Sequence, residues 1–341
     1  MSIKYPRVKP VVTDWIREHK DISNRLSARL IMKEIPGLFT KEDTARKYIS
    51  ALRNPKRKRS KDMIPIEDCI RTKDEIRNHE YNTTNNRLPK ADDTDFAIRE
   101  LPSEANKWLI LADVHIPYYD ESALWCAIEY GKKVKCNGIL QLGDWNDFYQ
   151  LSNFIKDPRK RCLVEEVAMS NEIDDILIKE IKPKAFVKKL GNHEFRLERY
   201  IMSRTPELLG LEGITFEGIF KTKEKGIKVI SASDPIRYKT LTLIHGSEYA
   251  GGWVAPVNPA RGMFLRSGGC VVSAHQHVTS EHTETNIMSV ITTCWSIGSL
   301  CNLHPDYRPL NKWNHGFGVL STGKGKYWHF ENKRIVKGKV L

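Results

Sequence analysis

Five short polar blocks in this 341-residue chain have the residue types of a metal site. They are Asp113-Val114-His115, Gly143-Asp144 with Asp147 three residues on, Gly191-Asn192-His193-Glu194, His245-Gly246, and Ala274-His275-Gln276-His277. Carboxylate, amide oxygen and neutral imidazole without thiolate form the ligand set of hard or borderline divalent cations. Taken singly, each block has a plainer explanation. A histidine after a strand is more often a satisfied polar side chain than a ligand, and Asp144 after Gly143 suits a turn. All five, however, stand directly behind short apolar runs. The densest, Gly191 to Glu194, follows Ala185-Phe186-Val187 with Lys188 and Lys189 between. The pattern predicts a chain built to gather these groups around two metal ions.

The elements that would position them read as alternating strands and helices. Strands are expected at Trp108 to Ala112, Gly138 to Leu142 and Ala185 to Leu190. Helices are expected at Glu121 to Lys133, Leu163 to Ile181 and Phe195 to Leu209. Such alternation argues for a βαβ core with a largely parallel sheet, in which sites lie at the carboxyl ends of strands. After Gly226 the texture is more purely β. Strands are expected at Ile227 to Ser231, Leu241 to Ile244, Val271 to Ser273 and Ser289 to Thr293. A hairpin pairs Gly318 to Ser321 with Tyr327 to Phe330. Two β layers with helices outside, closed by antiparallel strands, is the simplest arrangement.

Over about residues 107–330 the five blocks, in this order, resemble the calcineurin-like metallophosphoesterase superfamily. The resemblance implies an α/β fold, a four-layer α/β/β/α metallophosphoesterase sandwich with a dinuclear site. One metal would take Asp113, His115 and His277, the other Asn192, His245 and His275, and Asp144 would bridge both. Mn²⁺ is the first expectation, with Fe, Zn or Ni admissible, because these ligands do not choose among them. Two such ions, about 3.5–4 Å apart, clamp phosphate oxygens and acidify a bridging water, whose hydroxide attacks phosphorus. His193, beside ligand Asn192, would protonate the leaving oxygen, and Asp147 would hold that imidazole. Arg196 is a candidate for a phosphate oxygen or a partner for Glu194 or Glu198. Protein Ser/Thr phosphatases share the Gly-Asn-His-Glu block but carry an arginine where this chain has Phe148, and lack the His-x-His pair, so protein dephosphorylation is set aside. Ala274 stands where the superfamily usually has glycine, which removes no ligand.

The remaining signal is charge. Of the net +13, residues 1–61 carry +11, from 17 Lys/Arg against 6 Asp/Glu. A local basic segment favours polyanions, chiefly nucleic acid, although it can equally be a solubilising arm. Helices are expected at Val11 to Lys20, with Val12, Trp15 and Ile16 on one side, and at Ser23 to Lys33, with Leu26, Leu30 and Ile31 inward. After Pro36-Gly37, Thr40 to Asp43 resembles a capping box opening a third helix to about Arg53. Ala45, Tyr48, Ile49 and Leu52 form its buried face. The last two helices resemble a helix-turn-helix unit. Arg46, Lys47 and Arg53 fall largely off the buried face, and Lys56, Arg57, Lys58 and Arg59 form a basic strap, together the candidate nucleic-acid contacts. Residues 62–104 read as a polar linker with a short helix around Ile66 to Ile76, and 105–341 as the metallophosphoesterase domain.

No apolar run approaches the roughly 18 residues of a membrane span, and no signal-peptide pattern follows the basic start. Seven cysteines without C-x-x-C spacing suit a reduced, cytoplasmic chain. The first functional expectation is a metal-dependent phosphodiesterase acting on nucleic acid, most simply a DNA nuclease, with Trp145, Phe148 and Tyr149 available to stack on bases. The second is a phosphoesterase of small or cyclic nucleotides whose N-terminal module tethers a partner or DNA. A DNA-binding protein with an inert phosphoesterase scaffold is disfavoured, because no ligand is missing.

Overall fold

The computed structural model describes residues 8–19, 22–53, 97–157, 159–160, 162–249, 257–323, 325 and 327–341. The strap at 54–61, with Lys56, Arg57, Lys58 and Arg59, and the helix expected around 66–76 lie outside the described residues. The chain divides into two units, Met1–Thr94 and Asp95–Leu341.

In the first unit, α1 (Val8–Glu18), α2 (Asn24–Glu34) and α3 (Glu42–Arg53) enclose a small core. Val12, Trp15, Ala28, Ile31, Phe39, Ala45 and Ile49 are buried together. Burying a side chain such as Ile49 contributes about 1.5–3 kcal/mol, and a three-helix module depends on few such residues. The Ser23 side chain caps α2 by accepting from Leu26 N. This start turns Ser27, Ala28 and Ile31 inward and leaves Leu26 half exposed, against the expectation for Leu26.

The second unit is a four-layer α/β/β/α sandwich, as the sequence implies. Its strands are β1 (Arg99–Glu100), β2 (Lys107–Leu111), β3 (Gly138–Leu142), β4 (Ala185–Lys189), β5 (Ile227–Ile230), β6 (Ile236–Tyr238) and β7 (Leu241–Leu243). They continue with β8 (Cys270–Ser273), β9 (Ser280–Thr285), β10 (Ile291–Ser296), β11 (His315–Thr322), β12 (Trp328–Val336) and β13 (Lys339–Val340). The helices are α4 (Glu121–Lys133), α5 (Leu163–Ile181), α6 (Phe195–Arg204), α7 (Phe216–Ile219) and α8 (Pro259–Ser267). One sheet runs β13-β12-β11-β2-β3-β4-β5, parallel from β2 to β5 and antiparallel beyond β2. The other runs β1-β6-β7-β8-β10-β9.

Side-chain alternation along each strand separates the layers. Ile110, Leu140 and Val187 of the first sheet pack with Leu243, Val272 and Trp295 of the second. Leu109, Leu111, Ile139 and Phe186 point the other way, onto Ala127 and Ile128 of α4 and Ile173 and Leu177 of α5. On the far side of the second sheet, Ala260 and Met263 of α8 cover Val271 and Cys294. Register then brings chain ends together: Leu111 lies opposite Gln141, and Leu142 opposite Lys189.

Several features differ from the sequence reading. The helix expected to Leu209 stops at Arg204, because Pro206 cannot continue it and opens a 3₁₀ turn. The strand expected at Ser289 to Thr293 is instead Ile291–Ser296, since Asn286 Oδ1 takes the Met288 and Val290 N–H groups into a turn. Strands β6, β9 and β13 and helices α7 and α8 are not expected from the sequence; β9 is an edge strand of six residues with no apolar alternation. Finally, Arg99–Glu100 of the expected linker pairs with β6. Among the described residues no helix is long and apolar enough to cross a membrane.

Candidate metal centre

The five polar blocks leave the carboxyl ends of β2, β3, β4, β7 and β8. Their backbone turns sharply there. Asp113, His115, Asp144, His275 and His277 all have φ between 49° and 66°, the left-handed region, where a non-glycine residue is uncommon. Two glycines make the approach possible. A Cβ on Gly143 would strike the His245 ring, and one on Gly191 would strike Asp144.

Asp144 is the centre of the arrangement. Its Oδ2 lies 3.1 Å from His245 Nε2, 3.8 Å from His193 Nε2, 3.9 Å from His115 Nε2 and 4.0 Å from His275 Nδ1. Its Oδ1 accepts from His193 N at 2.9 Å. Asp113 Oδ2 accepts from His275 N at 2.9 Å, while Oδ1 stands 3.2 Å from His277 Nε2. Asn192 Oδ1 is 3.3 Å from His245 Nε2. Ligand atoms converge within 4.8 Å in three sets: Asp113, His115 and His277; His115, Asp144 and His193; and Asp144, His245 and His275. All seven residues proposed as ligands from the sequence therefore reach one place.

The donor set fits divalent cations. His245 Nδ1 lies 2.9 Å from the Leu142 carbonyl, which can only accept, so Nδ1 carries a proton and Nε2, facing Asp144 and Asn192, is the nitrogen that would ligate a cation on losing its own. His115 Nδ1 is likewise held by Asp147 Oδ1 at 3.2 Å, and its Nε2 faces His277 Nε2 at 3.3 Å. Such outer partners orient imidazoles for metal binding. Buried His275 Nδ1 has no hydrogen-bond partner among the described residues. A cation would satisfy a lone pair of this kind.

The charges also interlock. Burial opposes ionisation of Asp144, yet the facing His245 and His193 hold its carboxyl well below the usual range. Burial works against protonating His245 and His277, but Asp144 and Asp113 respectively outweigh it and push both up to about 10. For His115 burial wins, helped by His193, and its pKa falls.

His193, Asp147 and Arg196 form a second cluster at the rim. His193 Nδ1 is 2.9 Å from the Asp147 carbonyl and 3.2 Å from Asp147 Oδ1. Arg196 Nη1 donates to that carbonyl at 2.8 Å, and Nη2 stands 3.1 Å from His193 Nε2. Burial lowers the His193 pKa, but Asp144 and Asp147 prevail and raise it. Arg196 pairs with neither Glu194 nor Glu198 among the described residues.

Two carboxylates that the sequence reading gave no role hold the loops. Buried Glu194 accepts from Gly191 N at 2.7 Å, Asp144 N at 3.0 Å and Asn146 N at 2.8 Å. Glu248 accepts from His245 N at 3.0 Å and Gly246 N at 2.6 Å, and pairs with buried Lys189 at 2.9 Å. Glu194 lies inside a motif and was within reach of inference; nothing around Glu248 marks it. Trp145 and Phe148, expected to be open to bases, are buried in two different cores, and only Tyr149 is partly exposed. In the first unit, Arg46 and Lys47 reach solvent beside Asp43. Arg53 instead ties α3 to the chain before and within α2, through the His19 and Ile22 carbonyls, Asn24 and Ser27.

No protein-family model and no curated protein sequence matches the chain. Similar solved structures include vacuolar protein sorting 29 of Cryptosporidium parvum, 14% identical with a TM-score of 0.38, covering 70% of this chain and 96% of that one. The phosphoesterase Yfce of E. coli is 15% identical with a TM-score of 0.28, over 62% and 87% of the two chains. The nuclease MPE of Pseudomonas putida is 11% identical with a TM-score of 0.30, over 65% and 85%. Likeness at this distance carries no information on activity or substrate.

Proposed function

We propose that the protein is a dinuclear-metal-dependent phosphodiesterase acting on nucleic acid, most simply a DNA nuclease. The observation that carries this reading is the position of Asp144 Oδ2 among four imidazole nitrogens at 3.1–4.0 Å, with His193 and Arg196 beside it. Asp113, His115 and His277 would hold one ion and Asn192, His245 and His275 the other, with Asp144 between them. Mn²⁺ is the first choice. When bound, two such cations neutralise phosphate oxygens and lower the pKa of water.

The chain's own groups do the rest. Asp147 fixes the His193 proton on Nδ1 and leaves Nε2 facing the site. Asp144 and Asp147 raise the His193 pKa, which favours the imidazolium form from which Nε2 can give a proton to the leaving oxygen. Arg196 is anchored by the Asp147 carbonyl and brings a fixed cation to the same point. The net +11 of residues 1–61 supports a polyanionic substrate, with Arg46, Lys47 and Lys56 to Arg59 as its phosphate contacts.

The test is cleavage of end-labelled and circular DNA with Mn²⁺, against EDTA and His193→Ala, with bis-p-nitrophenyl phosphate in parallel. The reading expects metal-dependent DNA cleavage that falls about 100-fold or more in the variant. Hydrolysis of the small diester with DNA left intact would favour a nucleotide phosphodiesterase. No hydrolysis of either substrate with Mn²⁺, Fe, Zn or Ni would end the enzymatic reading.

A further inference from the structure

Between β10 and β11 the chain makes a long excursion over the metal centre, and the segment 302–314 is rich in rings and cations. It is rigidly built. Asn311 Nδ2 donates to the Leu303 and Arg308 carbonyls at 2.6 and 2.9 Å, and its Oδ1 accepts from Trp313 N at 2.8 Å. Asn314 N donates to the His277 carbonyl at 2.9 Å, and Asn314 Oδ1 accepts from Thr279 N at 3.0 Å. The loop is thus fastened to a candidate ligand at one end and braced by its own amides.

What it presents is unusual for a loop. The Trp313 ring lies 4.2 Å, centre to centre, from the His277 ring. Tyr307 stands edge-on to Trp313 at 6.4 Å and is 76% exposed. The Arg308 guanidinium sits 5.9 Å over Trp313. Among the described residues, neither Arg308 nor Lys312 forms a salt bridge. All four side chains line the cleft of about 680 Å³ that contains His115, Asp144 and His193. Tyr307 and Trp313 also line a side cavity of about 170 Å³ next to it, with Tyr118 and Tyr149 across from them.

We propose that this loop is a stacking wall for an unpaired nucleobase flanking the phosphate held at the metal centre, and that the substrate strand must therefore be single-stranded there. This rests on the reading above that the site acts on nucleic acid. Exposed rings with cations beside them are how single strands are held without sequence readout. A cleft of this volume accepts something of drug-like size, so it takes a nucleotide or two and not a duplex. Preorganisation by Asn311 and Asn314 means that little ordering opposes binding.

The test is binding by the full-length protein in EDTA, followed by fluorescence anisotropy, so it does not depend on hydrolysis. The probes are a labelled thymidine tetranucleotide and the same backbone lacking its bases. Both carry equal charge, so the basic N-terminal segment contributes equally, and their difference reads stacking. Wild type should prefer the base-bearing strand by about 5- to 150-fold. Tyr307→Ala, at an exposed position, should reduce that preference several-fold and leave the abasic strand unchanged. Arg308→Ala should weaken both probes alike. Equal affinity of wild type for the two probes, or a preference untouched by Tyr307→Ala, overturns the proposal. So does displacement of the tetranucleotide by thymidine 5′-monophosphate at equal concentration, which would assign the wall to small nucleotides. Failure of the cleavage assay with the base preference intact would instead count against the nuclease reading alone.

Discussion

Replacing Asp144 by asparagine should abolish the response of the protein to divalent metal and destabilise it without metal. The two effects have separate origins. Asparagine keeps a carbonyl oxygen for His193 N, now bonded to Asp144 Oδ1 at 2.9 Å. It replaces Oδ2, which faces His245 Nε2 at 3.1 Å, by an amide or an uncharged oxygen. In the metal-free protein this breaks a buried charge pair, a change that costs about 3–5 kcal/mol because the remaining charge loses its partner. In a unit of this size 1 kcal/mol moves Tm by about 2–4 °C, so a fall of roughly 6–20 °C is expected. In wild type, Mn²⁺ at a hundred times its Kd should stabilise by about 2.7 kcal/mol, a rise of about 5–11 °C. Asp144→Asn should show little of that rise, since the charged oxygen that would serve both ions is gone. Thermal unfolding with EDTA and with Mn²⁺, Zn²⁺, Ni²⁺ or Fe²⁺ measures both effects, and Asp306→Asn, at an exposed ion pair with Lys160, is the control. A metal-induced rise in Asp144→Asn equal to that of wild type would refute the placement of Asp144 between the ions.

Metal binding should also release protons. His245 and His277, pushed up to about 10 by Asp144 and Asp113 against the opposing effect of burial, are protonated at neutral pH without metal and must lose those protons to act as ligands. Affinity for Mn²⁺ should therefore rise between pH 6 and 9, and calorimetry in buffers of different ionisation enthalpy should show the released protons; a flat profile argues against the assignment. Glu248→Ala should lower metal affinity about 10- to 100-fold in a titration, because it frees the His245 and Gly246 N–H groups and leaves Lys189 without its carboxylate; unchanged affinity would make Glu248 purely structural. Glu166 is pushed up to about 8, chiefly by burial, from an ordinary 4.5. The folded state therefore holds a proton that the unfolded chain releases: its contribution is complete below about pH 4.5 and is lost as pH rises toward 8. Glu166→Gln keeps an acceptor for Phe148 N and should remove on the order of a few kcal/mol of pH dependence between pH 5 and 8.5 in urea unfolding; equal slopes in both proteins would refute it.

The site was legible because its residues are local signals: each block stands directly behind an apolar strand, and open α/β sheets place function there. The main sheet was legible for the same reason, since β2, β3 and β4 are short apolar runs separated by helical periods. Lys188 and Lys189 illustrate the limit. Two adjacent lysines at a strand end suggest an exit to solvent, yet both are buried. Lys188 pairs with Asp174 at 2.7 Å under the Trp145, Phe216 and Phe220 rings, and Lys189 pairs with Glu248. Their partners lie in distant segments, and pairing across such distances leaves no local pattern. Trp145 and Phe148 fail for a related reason. An aromatic beside a metal ligand can face the substrate or the core, and only the surrounding layers decide.

The backbone at the centre is held in uncommon conformations by the acids of the site. Five candidate ligands with left-handed φ store on the order of 1–3 kcal/mol each, and such strain persists only where surrounding structure over-determines it. Here the restraint is visible. Glu194 holds three N–H groups of the Asp144 and Asn192 loops, Glu248 holds two at His245, and Asp113 holds His275 N. Hydrogen bonds to a charged acceptor contribute about 1.5–3 kcal/mol each, comparable to the strain they oppose. Carboxylates therefore serve two purposes. Asp144 and Asp113 face inward as ligand candidates while one oxygen of each grips a neighbouring loop; Glu194 and Glu248 only grip. A site held this way is shaped before any ion arrives, so metal affinity need not supply the energy of folding the loops. It also explains why the ligands can come from five strand ends in two sheets: each end is fastened to the next by an acid of the site itself.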